Sequence, residues 1–253
     1  MVSVVQQWYD ERVKHFNANE VNDMLDAFIA EQKTDENSAK FFNHQAYIGN
    51  FLTLLIAGTG SPIFTLYYAY YILALDPEIQ TKIQQEIDQY VGEQRFPSFE
   101  DDKGNLTFTT AFLAEIDRFC ALNKFLPPRI NSEEAHINGY NIPKGNIFLV
   151  NTANCLRDQK YFKNPDEFDP NNFLDVNGKL TNLESAIPFG IGIRRCPGEF
   201  FTKVEIFTCF TAIAQNFDIS IAKDEKIGKR EGYELVKAFP RFKVVLKRRN
   251  RFN

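Results

Sequence analysis

Residues 189–198 read Phe189-Gly190-Ile191-Gly192-Ile193-Arg194-Arg195-Cys196-Pro197-Gly198, and this decapeptide decides how the chain is read. Gly190 and Gly192 let a backbone loop come close to a flat ligand, because no Cβ stands in the way. Arg194 places a fixed positive charge two residues before a thiol. Pro197 suits a first helical turn, and residues 199–210 continue with Phe200, Val204, Phe207 and Thr208 at helical spacing. Cys196 therefore sits just before a helix N-terminus and beside two arginines, and both features favour thiolate over thiol.

The rest of the composition narrows the function classes. The chain has 253 residues, enough for one large domain or two small ones with a substantial core. Its 29 Lys+Arg against 33 Asp+Glu give a net charge of −4, so no general field draws nucleic acid to it. The short basic run of Lys247, Arg248, Arg249 and Arg251 reads as a solvated tail. Phe is abundant at 25 residues, which suggests large aromatic faces in a core or an apolar pocket. The four cysteines, Cys120, Cys155, Cys196 and Cys209, form no C-x-x-C pair, so neither a zinc site nor a disulfide framework is indicated. The start has no basic stretch followed by a long apolar run, so no signal peptide or anchor is expected in it.

No repeat or Gly/Ser linker divides the chain, and a single structural unit over residues 1–253 is expected. Its segments are leading helices in 1–44, a central helix in 45–75, helices and a β-hairpin in 76–164, a meander and ligand loop in 165–198, and a helix with terminal strands in 199–253. In residues 21–32, Val21, Met24, Leu25, Phe28 and Ile29 mark one helix face; residues 33–40 are charged and read as a loop. Residues 45–75 carry no charge, which suits either a membrane span or a long buried helix. The buried helix is the preferred reading. Asp76-Pro77 starts the next helix as N-cap and first residue, with Ile79, Ile83, Ile87 and Val91 inward and Lys82, Gln85, Glu86 and Gln89 facing water. Another helix is expected over 109–122, ahead of Pro127-Pro128. Asn138-Gly139 signals a tight hairpin, and 147–150 reads as a buried strand. The expected class is mainly α with small antiparallel β-sheets.

A stabilised thiolate is what a haem iron needs as axial ligand, and the decapeptide resembles the F-x-x-G-x-R-x-C-x-G signature of cytochromes P-450. The resemblance makes Cys196 the iron ligand, Arg194 the partner of a haem propionate and Phe189 the aromatic near the sulfur, with Gly190, Gly192 and Gly198 shaping the loop. Thiolate ligation donates electron density to the iron and favours O–O cleavage. Glu115-Ile116-Asp117-Arg118 resembles the family's E-x-x-R, a helical i, i+3 pair read as structural support. Residues 165–173 resemble its P-x-x-F-x-P-x-R-F meander, with Asn172 where an arginine is usual, so the charge network is expected to shrink to a pair with an amide partner. Pro127-Pro128-Arg129 is similar to the segment whose basic residue reaches a propionate. Residues 139–145 are similar to the family's G-Y-x-I-P-K-G hairpin, and Arg157-Asp158 to its R-D step. The likeness is greatest to the microsomal animal group.

On the central helix the family has A-G-x-(Asp/Glu)-Thr-Thr facing bound oxygen. Ala57, Gly58 and Thr59 match, Gly60 replaces the acid, Ser61 replaces the threonine, and Pro62 leaves the Gly58 carbonyl without its helical donor. Thr59 and Ser61 are then the candidate catalytic hydroxyls, and the missing acid predicts weaker coupling of oxygen activation to product. The resemblance implies the C-terminal part of the P-450 fold: haem b (iron protoporphyrin IX), dioxygen, a lipophilic substrate near Ala57, Leu126, Pro127, Leu235 and Val236, an NADPH-dependent reductase as partner, and the cytosolic face of the endoplasmic reticulum membrane. Complete members carry a further N-terminal half, so the resemblance leaves three readings of the length: a partial gene product, a gene fragment, or a truncated form without activity. Three readings follow: a haem-thiolate monooxygenase, a haem-binding but weak or inactive fragment, and a non-haem helical membrane or scaffold protein.

Overall fold

The structure is a computed structural model that describes residues 1–120, 124–225 and 241–250. These residues gather into two compact units, Met1–Ser61 and Pro62–Asn253.

In the first unit, α1 (Val2–His15), α2 (Met24–Gln32) and the start of α4 (His44–Leu75) surround a core of Val5, Tyr9, Leu25, Phe28, Ile29 and Tyr47, with α3 (Glu36–Phe41) against α2. Helix α2 begins at Met24 because the Asp23 carboxylate accepts the Asp26 N–H, so Val21 stays outside it. The stretch read as a loop contains α3, whose N-cap Asp35 accepts from the N–H groups of Asn37 and Ser38. That helix buries no residue, so no apolar period announces it.

Helix α4 runs unbroken through Pro62, and its exposure changes along its length. Tyr47 is buried in the first unit, residues 53–59 are exposed, and Tyr71, Ile72 and Leu73 are fully buried in the second. The expectation of a buried central helix therefore holds only for its last turns. By length and apolarity alone α4 is able to cross a membrane.

The second unit packs the end of α4 against α5 (Pro77–Tyr90), α7 (Thr107–Cys120) and α9 (Glu199–Asn216). Burying the large apolar side chains shared by these helices contributes roughly 1.5–3 kcal/mol apiece. Asp76 caps α5 through the N–H groups of Glu78 and Ile79, with Pro77 in the first turn and Ile83 and Ile87 fully buried. Glu86, expected to face water, instead accepts from the N–H groups of Phe108 and Thr109 at 2.8 Å each and so caps α7. A short helix α6 (Phe99–Asp102) lies between them, and α8 (Thr152–Cys155) follows the β segment.

The strands form three two-stranded antiparallel pairs: β1 (Arg129–Ile130) with β4 (Ile147–Phe148), β2 (Ala135–Ile137) with β3 (Tyr140–Ile142), and β5 (Phe217–Ile221) with β6 (Val244–Arg248). The β2–β3 turn holds Asn138 at φ 49° and Gly139 at φ 83°, the two left-handed residues of a tight hairpin. The stretch 147–150 is not buried: Ile147 and Leu149 are exposed, and only Ile147–Phe148 pairs as strand. Nor is the basic end wholly solvated. Arg249 grips both carboxylate oxygens of Asp88 and the Gln215 carbonyl, fastening the end of β6 to α5 and α9. Arg251, Leu235 and Val236 lie outside the described residues. The expected class, mainly helical with small antiparallel sheets, holds.

Candidate functional site: the Cys196 loop

The loop is shaped by its own backbone. The Gly190 N–H donates to the Ile187 carbonyl at 3.1 Å, the Arg195 N–H to Gly192 at 3.1 Å, and the Cys196 N–H back to Phe189 at 2.9 Å. Gly190 and Gly192 take φ of +75° and +74°, a region that side chains rarely adopt. At Gly190 the space is short as well, since a Cβ there would stand 3.4 Å from Leu126 Cδ1. Gly198 has an ordinary φ of −88° and room for a Cβ, so packing within this chain does not demand glycine there.

Cys196 is half-buried, and Gly198 is the N-cap of α9. The Cys196 sulfur makes no hydrogen bond or disulfide among the described residues. Cys120 differs, because burial pushes its thiol well above the usual range. Cys155 and Cys209 are exposed on helices away from any glycine loop. Arg194 is exposed, and its guanidinium makes no hydrogen bond or ion pair among the described residues. Arg129 lies beside it, donating at 3.3 Å to the Arg194 carbonyl. The structure thus brings Phe189, Gly190, Gly192, Arg194, Cys196, Gly198, Leu126 and Arg129 to one place.

Haem chemistry fits this donor set. Among the described residues no three His, Cys, Asp or Glu side chains converge to hold a metal unaided, whereas an iron carried by a macrocycle needs only one protein thiolate. Arg194 has free donors for an acidic group beside the sulfur, and a guanidinium binds carboxylates bidentately. Exposed Phe125, Ile130, Ile147 and Leu149, together with Ile193, add apolar surface on the loop and on the strands next to it.

Helix α7 also carries a buried clamp. Arg118 is 1% exposed and spends all five N–H groups: two on Glu115 at 2.7 Å each, and one each on the carbonyls of Leu156, Pro165 and Glu167 at 3.0, 2.7 and 2.9 Å. Glu115 also accepts from the Asp169 N–H at 2.8 Å and the Asn172 amide at 3.3 Å. The pair with an amide partner is thus the observed arrangement. Burial pushes the Glu115 carboxyl up from its usual range, and Arg118, the Asp169 N–H and the Asn172 amide offset part of that rise.

Ala57, Gly58, Thr59 and Ser61 sit on α4 in the first unit, and the first three are exposed. The Ser61 hydroxyl is already engaged, donating to the Ala57 carbonyl at 2.8 Å along its own helix. Sequence reasoning passed over Asp117, which lines a cavity beside the loop. The available signal was its spacing, seven residues after Thr110 on the same face of α7.

The family model described as Cytochrome P450 matches residues 1–246. The chain is similar to Cytochrome P450 2M1 of Oncorhynchus mykiss, 35% identical over 87% of this chain and 44% of that protein. It is 34% identical to Cytochrome P450 2B3 of Rattus norvegicus, over 95% of this chain and 50% of that one. With human Cytochrome P450 2C8 the identity is 32%, over 89% and 47%. The chain spans about half the length of the curated relatives it matches.

Proposed function

The chain belongs to the cytochrome P450 family, and from that premise we propose that it binds haem b through the Cys196 thiolate as the C-terminal, ligand-bearing part of a monooxygenase acting on a lipophilic small molecule. The observation that carries this reading is the half-buried Cys196 sulfur, which together with the Arg194 guanidinium has no hydrogen-bond partner among the described residues, in a loop shaped by two left-handed glycines. When bound, the haem supplies the iron that activates dioxygen for insertion of one oxygen atom into substrate.

The chain's own residues do the rest. Cys196 donates its thiolate, Gly190 and Gly192 hold the loop in the shape that presents it, and Arg194 and Arg129 offer cations to the acidic edge of the macrocycle. Glu115 and Arg118 do no chemistry in this reading; they fix α7 to the 156–169 stretch so that the loop has a rigid floor. Ala57, Gly58, Thr59 and Ser61 are proposed to face the oxygen side, with Ser61 left to act as an acceptor while its proton is held by Ala57. With Gly60 in place of an acid, that side has no carboxylate to relay protons, which favours leak over product. The proposed context is the cytosolic face of the endoplasmic reticulum membrane, with an NADPH-dependent cytochrome P450 reductase as electron donor. One structural domain comprising both compact units belongs to the same proposal.

The experiment is purification of the full chain from cells supplied with a haem precursor, a pyridine haemochrome assay, and turnover with reductase and NADPH. One b-type haem per chain with oxygenated product supports the monooxygenase; one haem without product supports the weak or inactive fragment. No haem under any condition rejects both.

A further inference from the structure

A cavity of about 450 Å³ lies on the α7–α9 side of the Cys196 loop, between these two helices and the loop stretch 183–192. Its size is in the range of small-molecule sites. Leu113, Phe99, Phe189, Ile206 and Phe207 make the walls apolar. Asp117 lines it too, and its carboxylate makes no hydrogen bond and no ion pair among the described residues.

The other charges at this site are differently placed. Lys203 is ion-paired with Glu199 and lies over the Phe189 ring, Lys103 lies over the Phe99 ring at 4.6 Å, and Glu184 and Arg195 are exposed. Asp117 is therefore the half-buried carboxyl of these walls without a hydrogen bond or ion pair among the described residues. Burial pushes its carboxyl up to about 7, with Lys203 the nearest opposing influence. A carboxylate in apolar surroundings is costly until a cation or donor joins it. Aromatic walls add attraction for a cation, most strongly when it is weakly hydrated.

From this geometry we propose a second ligand site that accepts an organic cation with an apolar body, its charge at Asp117 and its body against Leu113, Ile206 and Phe207. The cavity shares Phe189, Gly190 and Gly192 with the Cys196 loop, but neither Cys196 nor Arg194 lines it.

The test is calorimetric titration of the purified full chain with 4-phenylbutyltrimethylammonium at pH 8, a probe with no lone pair to ligate iron. Saturable binding is expected, weakened at least tenfold by Asp117→Asn. Should that variant fail to fold, Ile187→Trp fills the cavity from the loop side and is expected to abolish binding. Absence of binding, or affinity unchanged within twofold in either folded variant, overturns the proposal.

Discussion

Replacing Arg118 by Met removes the clamp's cation while keeping much of its apolar stem. Three losses follow from the geometry. The Glu115 carboxylate, 0% exposed, is left without its counter-ion, a change that costs roughly 3–5 kcal/mol for a buried pair broken on one side. The carbonyls of Leu156, Pro165 and Glu167 each lose a donor, at about 1 kcal/mol apiece if water or local relaxation recovers part of the bond. The guanidinium also lies over the Phe162 ring at 5.0 Å, a contact that Met replaces only as a hydrophobe. The sum, on the order of 6–8 kcal/mol, rivals the whole stability of many domains. Urea unfolding followed by far-ultraviolet circular dichroism reads the global cost. Hydrogen exchange at the Asp169 amide, which donates to Glu115, reads the local one. Arg118→Lys should fall between, since an ammonium has three donors and no planar fork. A midpoint shift worth less than about 1 kcal/mol for Arg118→Met, with Asp169 still protected, would refute the assignment of the clamp as the support of this region.

Gly190→Ala should cost about 1–2 kcal/mol and lower haem retention, because the residue would be held at φ +75° with Leu126 close by, whereas Gly104→Ala meets open space; equal thermal midpoints for the two would sink the argument. Asn172→Arg supplies a further cation near Glu115 and should raise the urea midpoint, less so in high salt; no rise at low salt contradicts the view that a charge is missing there. For Asp117 the folded value lies above the unfolded one, so the native state binds the extra proton between about pH 4 and 7 and loses stability as pH rises through that window. Asp117→Asn should match the parent at pH 4 and exceed it increasingly up to about pH 7, by a few kcal/mol at most, with a plateau above. A gap in melting temperature that does not vary with pH rules this out.

Much of this was legible because the deciding signals are local. Asp76-Pro77, Asn138-Gly139 and the two loop glycines each impose a backbone conformation that depends little on distant partners. The Glu115–Arg118 pair could be read from its i, i+3 spacing, but its three carbonyl partners come from 38 to 49 residues away and leave no pattern. Glu86 sits on the polar side of an amphipathic helix, and only the arrival of α7 makes it a cap. Arg249 looked like part of a charged tail until β6 paired with β5 and brought it to Asp88. The apolar run at 147–150 shows why hydrophobicity alone cannot assign burial: such a run records a need for cover, not what supplies it. The same holds for residues 53–59 of α4, apolar by composition yet exposed.

The central claim is that Cys196, and no other cysteine of this chain, holds a haem iron as thiolate. The absorption spectrum of the dithionite-reduced, CO-bound protein tests it most directly. The account predicts a strongly red-shifted Soret band that disappears in Cys196→Ala and survives in Cys155→Ala and Cys209→Ala. A bound haem whose CO complex lacks that shift, or a shifted band that persists in Cys196→Ala, would contradict it.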